Sequence, residues 1–230
     1  MAPYPEASPT EPHLDHPQPL VTVDAVLLTL CATGLEIALQ PRGREPFKGA
    51  MALPGGVVHV DEDATTEASI RRVLRDKTGF EPRYLEQLQV FSGPDRDPRK
   101  WSLSVSYVAL VPAAELEAST QAGFQFVSVD ALPPLAFDHA AIVAAAVARL
   151  RGKSSYSTLP FFLLPERFTL TELQHTYEAI LQTRLEKSNF RRKMEAWDVL
   201  EATEDYVLGA QRPARLYRLK DFTLFDRSVG

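Results

Sequence analysis

The chain holds a single cysteine among 230 residues. One thiol closes no disulfide and builds no cysteine zinc site within the chain, which points to a reducing compartment such as a cytoplasm. Cys31 lies in an apolar run and reads as a small buried hydrophobe. Long apolar runs are also missing, and none approaches the roughly 18 residues of a membrane helix. The first residues lack a basic stretch followed by an apolar one, so they do not read as a secretory signal. Positive charge is not in excess: the formal net charge is −5, and composition as a whole gives no sign of nucleic-acid binding. What is present, 45% hydrophobic and 24% charged residues, is globular composition with length for one large or two small domains.

Charge is unevenly spread. Residues 151–230 carry 13 Lys and Arg against 11 Asp and Glu, a net of +2, and the remaining 150 residues carry 12 against 19, a net of −7. Such a change of sign suggests two units with different partners. Residues 1–19 contain six prolines and little else apolar, the composition of a disordered tail. We therefore expect one unit over 20–150 and a second over 151–230.

The first unit alternates strand signals with polar loops. Leu20 to Leu30 and Leu35 to Leu39 read as strands around Thr33-Gly34, and Tyr84 to Ser92, Ser102 to Val111 and Gly123 to Val129 as three more. PRGREPFKG (41–49) and GPDRDPRKW (93–101) are polar, arginine-bearing loops. Between them ALPGG makes a Pro-Gly-Gly turn, and a helix follows over roughly Thr65 to Lys77, with Thr65 or Thr66 as N-cap and Gly79 as stop. Mixed strands around a helix predict an α+β sandwich.

The turn and helix resemble the Nudix box, G-x5-E-x7-R-E-U-x-E-E-x-G-U with U apolar, whose glutamates share one helical face and gather divalent metal around a diphosphate. Anchored on Gly79 and Phe80, the box places Arg72 on its arginine and Leu74 on its apolar position. Val73 then stands on the first glutamate of the helix, and Asp76 and Lys77 stand on the pair. One carboxylate of three survives, and Lys77 brings positive charge where a cation needs oxygen ligands. The loop from Gly56 to Gly79 is also two positions longer than the motif. This reads as a Nudix fold without its hydrolytic metal site. Asp61, Glu62 or Asp63 in the longer loop offers a partial rescue.

From Asp138 the chain reads helical (DHAAIVAAAVARLRGK) up to Gly152, and this alanine-rich helix either joins the domains or lines a dimer contact. His139 invites a catalytic role, but a packed histidine behind an N-cap is the favoured reading. Phe161 to Leu164 is a short strand or turn. Thr169 and Glu172 form a capping box before a helix reaching Gln182. A second helix starts at Ser188 or Asn189 and ends at Trp197, with Phe190, Met194 and Trp197 inward. Val199 to Ala202 and Leu216 to Leu219 read as strands around a loop. Helix, turn, helix, strand, loop, strand is the order of a winged helix-turn-helix. Acid is absent from Lys187 to Lys193 and from 212–220, the segments such a domain lays on the major groove and on phosphates. A solvated basic face is the bland alternative.

Together the two halves resemble the Nudix-related transcriptional regulators of NAD metabolism, the NrtR type. The stretches that carry the resemblance are REPFKG with ALPGG, VDED, RDPR, FDHAAI, LLPERFTLTELQ, and NFRRKM with RPARLYR. The resemblance implies a Nudix α/β/α sandwich followed by a winged helix-turn-helix. It implies a dimeric bacterial repressor, binding double-stranded operator DNA and sensing ADP-ribose as effector, with no resident cofactor or metal. Expected ADP-ribose contacts are Arg42, Arg44, Lys48, Gly55, Gly56, Arg72, Arg96 and Arg99. Arg72 has a structural alternative, bracing its helix on the glycine turn. Met51 stands where an aromatic ligand contact is expected. Expected DNA contacts are Lys187, Ser188, Asn189, Arg191, Arg192, Lys193, Arg212 and Arg215. The competing class is a Nudix ADP-sugar pyrophosphatase whose C-terminal domain dimerises or binds a protein, and Val73 and Lys77 speak against it.

Overall fold

The structure is a computed structural model that describes residues 18–79, 81–118, 123–207 and 213–220. Phe80, Arg212 and most of the expected N-terminal tail lie outside the described residues. Among the described residues, no helix is long and apolar enough to cross a membrane.

Strand β1 (Leu20–Cys31) organises the first lobe. Its residues alternate between faces: Val23, Ala25 and Leu27 enter one core, and Val26 and Leu28 enter another. Along one edge β1 pairs in parallel with β6 (Ser102–Leu110), from Leu20↔Ser102 to Leu28↔Leu110. Along the other edge it changes partner. Residues 22–24 pair with β4 (Gly55–Val57), while residues 28–31 pair with β2 (Gly34–Pro41). Strand β2 divides likewise, between β7 (Gln125–Ser128) and β3 (Met51–Ala52). Strand β5 (Tyr84–Gly93) closes the far edge beside β6. The sheet therefore opens as a wedge between β4 and β2.

Helices cover both faces. Helix α1 (Thr66–Thr78) buries Ile70, Val73 and Leu74 against Val23, Leu27 and Tyr107. Thr65 accepts the Ala68 N–H at its start, and Gly79, at φ 75, ends it with an N–H on the Arg75 carbonyl. A short helix missed in the sequence, α2 (Ala113–Ala118), adds Leu116 to that core. Helix α3 (His139–Ser154) lays Ile142, Val143, Ala146 and Leu150 on the opposite face. The three layers are the expected sandwich. The expected stop at Gly152 is not used. One helical glycine costs only about 1 kcal/mol, and buried Leu150 and Ser154, joined by a 2.6 Å bond from Ser154 Oγ to the Leu150 carbonyl, hold the last turn.

The second lobe has its own core of Phe161, Phe168, Leu173, Tyr177, Phe190, Met194 and Trp197. Leu159–Leu163 forms a 3-10 turn where a strand or turn was expected. The capping box of Thr169 and Glu172 opens α4 (Leu170–Leu181). Helix α5 (Lys187–Trp197) starts earlier than expected because Glu186 caps it, accepting the Ser188 and Asn189 N–H groups at 2.9 and 2.7 Å. The Ser188 hydroxyl first, then those backbone bonds, lower the Glu186 pKa to about 2. Strands β8 (Phe168–Thr169), β9 (Leu200–Val207) and β10 (Ala214–Leu219) form a sheet in the order β8-β10-β9. The two-residue β8 was not anticipated. The lobes share packing: Ile180, Leu159, Phe162 and Leu163 sit in one cluster with Ile142 and Leu150. Tyr177 also donates to the Ser157 carbonyl at 2.8 Å. Helix α3 runs through residues 150 and 151, the expected division, and so belongs to both lobes.

Candidate functional site

The wedge in the sheet leads into a cavity of about 300 Å³. Its walls bring together Asp24 of β1, Gly55 and Gly56 of β4, Arg42 and Arg44, Lys77 of α1, Arg96, Asp97 and Arg99 of the β5–β6 loop, Phe137 and His139. Six of the eight expected ligand contacts meet here: Arg42, Arg44, Gly55, Gly56, Arg96 and Arg99. Lys48 is exposed and off the walls. Arg72 also lies off them. Its guanidinium grips Asp63 through Nε and Nη2 at 2.8 and 2.7 Å, and Nη2 also reaches the Val57 carbonyl at 3.4 Å. That bidentate pair braces α1 against the loop after the glycine turn and lowers the Asp63 pKa. The structure thus gives Arg72 its bracing alternative. Met51 packs on the core, and the aromatic ring of the cavity wall belongs to Phe137, over which the Arg42 guanidinium lies at 4.5 Å.

Asp24, missed in the sequence, is the buried anchor of the wedge. Its Oδ2 accepts from Ser104 Oγ at 2.6 Å, and Arg96 Nη2 stands 3.8 Å away. Gly55 packs flat on it: a Cβ there would fall 1.9 Å from Asp24 Oδ1 and 2.7 Å from the Val23 carbonyl. Glycine is required by this approach. A lone acid inside a β-branched apolar run was the available signal.

Arg96 also forms a bidentate pair with Asp138, at 2.9 and 3.0 Å, just before α3. His139 is buried and accepts the Leu53 N–H through Nδ1 at 3.0 Å. A backbone amide can only donate, so the ring proton sits on Nε2, which faces Asp24 Oδ1 at 3.6 Å. Burial lowers the His139 pKa and keeps the ring neutral. This is the packed histidine favoured from the sequence.

The cavity is rich in positive charge. Asp97 is taken by Arg99 at 2.7 and 3.0 Å. Among the described residues Arg44 makes no hydrogen bond or ion pair, and the Arg42 side chain makes one hydrogen bond, to the Pro46 carbonyl at 2.8 Å. Burial first, then Arg99 and Arg44, lower the Arg42 pKa. Such a site suits a compact polyanion, since charge-assisted bonds to phosphate are the strong ones.

The residues at the metal corner of a Nudix box do not fit a metal. Val73 is buried, with Cγ2 at 2.9 Å from a Cβ built on Gly56. Asp76 is exposed. Lys77 donates from Nζ to the Gly55 carbonyl at 2.7 Å. Two of the three loop acids offered as a rescue are spent elsewhere, Asp63 on Arg72 and the His59 N–H and Glu62 beside His59, while Asp61 is exposed and off the cavity wall. Among the described residues, no three His, Cys, Asp or Glu side chains gather as metal ligands.

The second candidate surface is the start of α5. Lys187, Ser188, Asn189, Arg191 and Arg192 are exposed, and Phe190, Met194 and Trp197 face inward. Arg192 donates to Asn189 Oδ1 at 3.0 Å. Ser188 Oγ is held by Glu186 at 2.7 Å. Lys193 points back to the body, its Nζ on the Ser155 carbonyl at 3.3 Å and over the Trp197 ring at 4.9 Å. On the wing, Arg215 bonds the Thr203 carbonyl at 2.9 Å, while Arg218 and Lys220 pair with Glu201 and Asp198. Cationic donors on an exposed helix start and a wing match a groove-and-phosphate reader.

A helix–sheet–helix lobe with a glycine turn at an anion cavity, followed by a three-stranded winged helix, defines a Nudix-type domain joined to a DNA-binding module. The family models agree: the NUDIX domain matches residues 21–147, and the NrtR DNA-binding winged helix domain matches residues 160–219. The chain is 41% identical over 214 residues to the ADPR responsive transcriptional repressor NtrR of Acinetobacter baylyi, covering 90% of this chain and 86% of that one. It superposes on Shewanella oneidensis NrtR complexed with a 27mer DNA with a TM-score of 0.82 at 37% identity, over 87% of this chain and 93% of that one. The NUDIX domain of that protein, complexed with ADP ribose, matches at 34% identity and a TM-score of 0.53, over 59% of this chain and 90% of that one. The first lobe is also 38% identical over 126 residues to the ADP-ribose pyrophosphatase of Methanocaldococcus jannaschii, over 54% of this chain and 71% of that one. The chain belongs to the NrtR family of Nudix-related transcriptional regulators.

Proposed function

We propose that the protein is an ADP-ribose-responsive repressor of genes for NAD synthesis or salvage. It binds palindromic operator DNA as a homodimer and is released by ADP-ribose or a related nucleotide. The observation that carries this reading is Lys77 on the Gly55 carbonyl: the cavity keeps its cations but has one of its own at the corner where hydrolysis needs carboxylates. Such a cavity holds a nucleotide diphosphate without cleaving it. Arg42, Arg44 and Arg99 receive the diphosphate, and Gly55 and Gly56 let the backbone approach it. The start of α5 enters the major groove, with Arg191 or Arg192 on guanine edges and Lys187 on phosphate. The Acinetobacter and Shewanella relatives support both halves.

A pyrophosphatase is the second reading, and the resemblance to the Methanocaldococcus enzyme favours it. Two measurements separate them. A gel shift on the DNA upstream of the protein's own gene is expected to show a complex that ADP-ribose dissolves. Hydrolysis of ADP-ribose with magnesium is expected to be negligible. Turnover near ordinary enzyme rates, about 1 per second or more, without a DNA complex would establish the enzyme instead.

A further inference from the structure

We infer that Lys77 is a direct ligand of the effector's diphosphate and supplies the positive charge that a divalent cation supplies in metal-dependent Nudix sites, so that this cavity takes its anion without metal. The inference rests on the reading of the cavity as a nucleotide-diphosphate site.

The geometry singles out Lys77. An ammonium has three donors, and among the described residues Lys77 spends one, on the Gly55 carbonyl at 2.7 Å. That bond fixes Nζ on the cavity wall beside the glycine turn. Among the described residues no acid forms an ion pair with it. Asp97 is held by Arg99, and Asp24 by Ser104. Asp76, the neighbouring residue, is exposed and off the cavity wall.

The electrostatics run the same way. Burial lowers the Lys77 pKa, Asp24 opposes this, and Arg44 and Arg42 lower it further. Cations that outnumber the cavity's two carboxylates, Asp24 and Asp97, repel one another, and a diphosphate relieves that repulsion where a metal ion adds to it. Lys77 therefore selects for the free anion and against its magnesium complex.

Calorimetry on the full chain tests this with two probes, ADP-ribose and inorganic pyrophosphate, each in EDTA and in magnesium. ADP-ribose is expected to bind in EDTA at least as tightly as in magnesium. Lys77→Met is expected to weaken both probes roughly 10- to 100-fold, the worth of one charge-assisted bond. Lys77→Arg keeps the charge and is expected to recover part of the loss. The affinity of Lys77→Met should also depend less steeply on salt, which a merely structural role of Lys77 would not produce; thermal melting checks that both variants fold. If Lys77→Met does not fold, the wild-type comparison of EDTA with magnesium, together with Lys77→Arg, decides the matter. Binding that needs magnesium, or a folded Lys77→Met that binds as wild type, overturns the inference while leaving an ADP-ribose sensor intact. Pyrophosphate binding that depends on Lys77, without ADP-ribose binding, supports the role of Lys77 and rejects the effector. Binding of neither probe rejects both.

Discussion

Replacing Gly55 by alanine tests the wedge directly. The new Cβ would lie 1.9 Å from Asp24 Oδ1 and 2.7 Å from the Val23 carbonyl, where ordinary contact begins at 3.4 Å. The carboxylate must then retreat by about 1.5 Å, and the Val23 oxygen, being backbone of the central strand, resists. Retreat breaks the 2.6 Å bond from Ser104 to Asp24, which is buried at both ends. Overpacking costs about 1–3 kcal/mol and the lost bond about 1 kcal/mol, so the variant loses roughly 2–4 kcal/mol. For a chain of this size that is a fall in Tm of about 4–16 °C. Gly152→Ala is the control: nothing lies within 4 Å of its Cβ, so inside α3 it gains about 0.5–1 kcal/mol. Differential scanning calorimetry reads both. The reasoning is refuted if Gly55→Ala melts within about 1 °C of the parent, well under the expected shift, because the turn would then not rest on Asp24.

Other consequences follow from the same geometry. Arg191→Ala is expected to cost about 1–3 kcal/mol in operator binding and to relax specificity at one base pair, read by titration of operator variants. Lys193→Ala is expected to lower Tm rather than to weaken DNA binding selectively, because its ammonium bonds Ser155 and covers Trp197. Glu186 has its folded pKa depressed to about 2 from 4.5. Its cap therefore stabilises α5 fully above pH 4.5 and loses that effect as pH falls toward 2; Glu186→Gln should flatten the acid limb of the Tm curve. Saturating operator is expected to weaken ADP-ribose binding by the same factor by which ADP-ribose weakens operator binding, and equal affinities with and without operator would reject the coupling.

The sandwich was legible because apolar alternation, two polar loops and a capped helix are local signals. So were α4, through its capping box, and the inward face of α5. The misses were relations between distant residues. Asp24 and Gly55 are 31 positions apart, and only the pairing of β4 with β1 shows that one must be glycine because the other is there. Arg72 was expected as a ligand contact with a bracing alternative, and Lys193 as a DNA contact, because sequence shows charge but not partners; Asp63, nine positions away, gives Arg72 the bracing role, and Lys193 bonds the Ser155 carbonyl. Strands of two or three residues, such as β3, β4 and β8, have no periodicity to detect. Met51 misled because the aromatic wall comes from Phe137, far along the chain.

Helix α3 touches both candidate sites, one at each end. Its start is tied to the cavity by Arg96, which pairs with Asp138 while standing 3.8 Å from Asp24, and by His139, which holds the Leu53 amide. Its far end is tied to the reading head. Lys193 of α5 bonds Ser155, and Tyr177 of α4 bonds Ser157. Between these ends Ile142, Ala146 and Leu150 are fully or nearly fully buried, and such packing resists bending. Phosphates bound among Arg42, Arg44 and Arg99 would also attract the neighbouring Arg96, which would weaken its pair with Asp138 and with it the footing of the helix. The effector then needs no contact with α5. It needs only a different affinity for two placements of α3, and its differential binding sets the limit on how far it moves the equilibrium. In a homodimer each placement sets the distance between two α5 helices, and operator half-sites about 34–36 Å apart accept one distance and reject another. On this account a change in the footing of α3 at Asp138 would reach the DNA as a mismatch between the α5 helices and the half-sites.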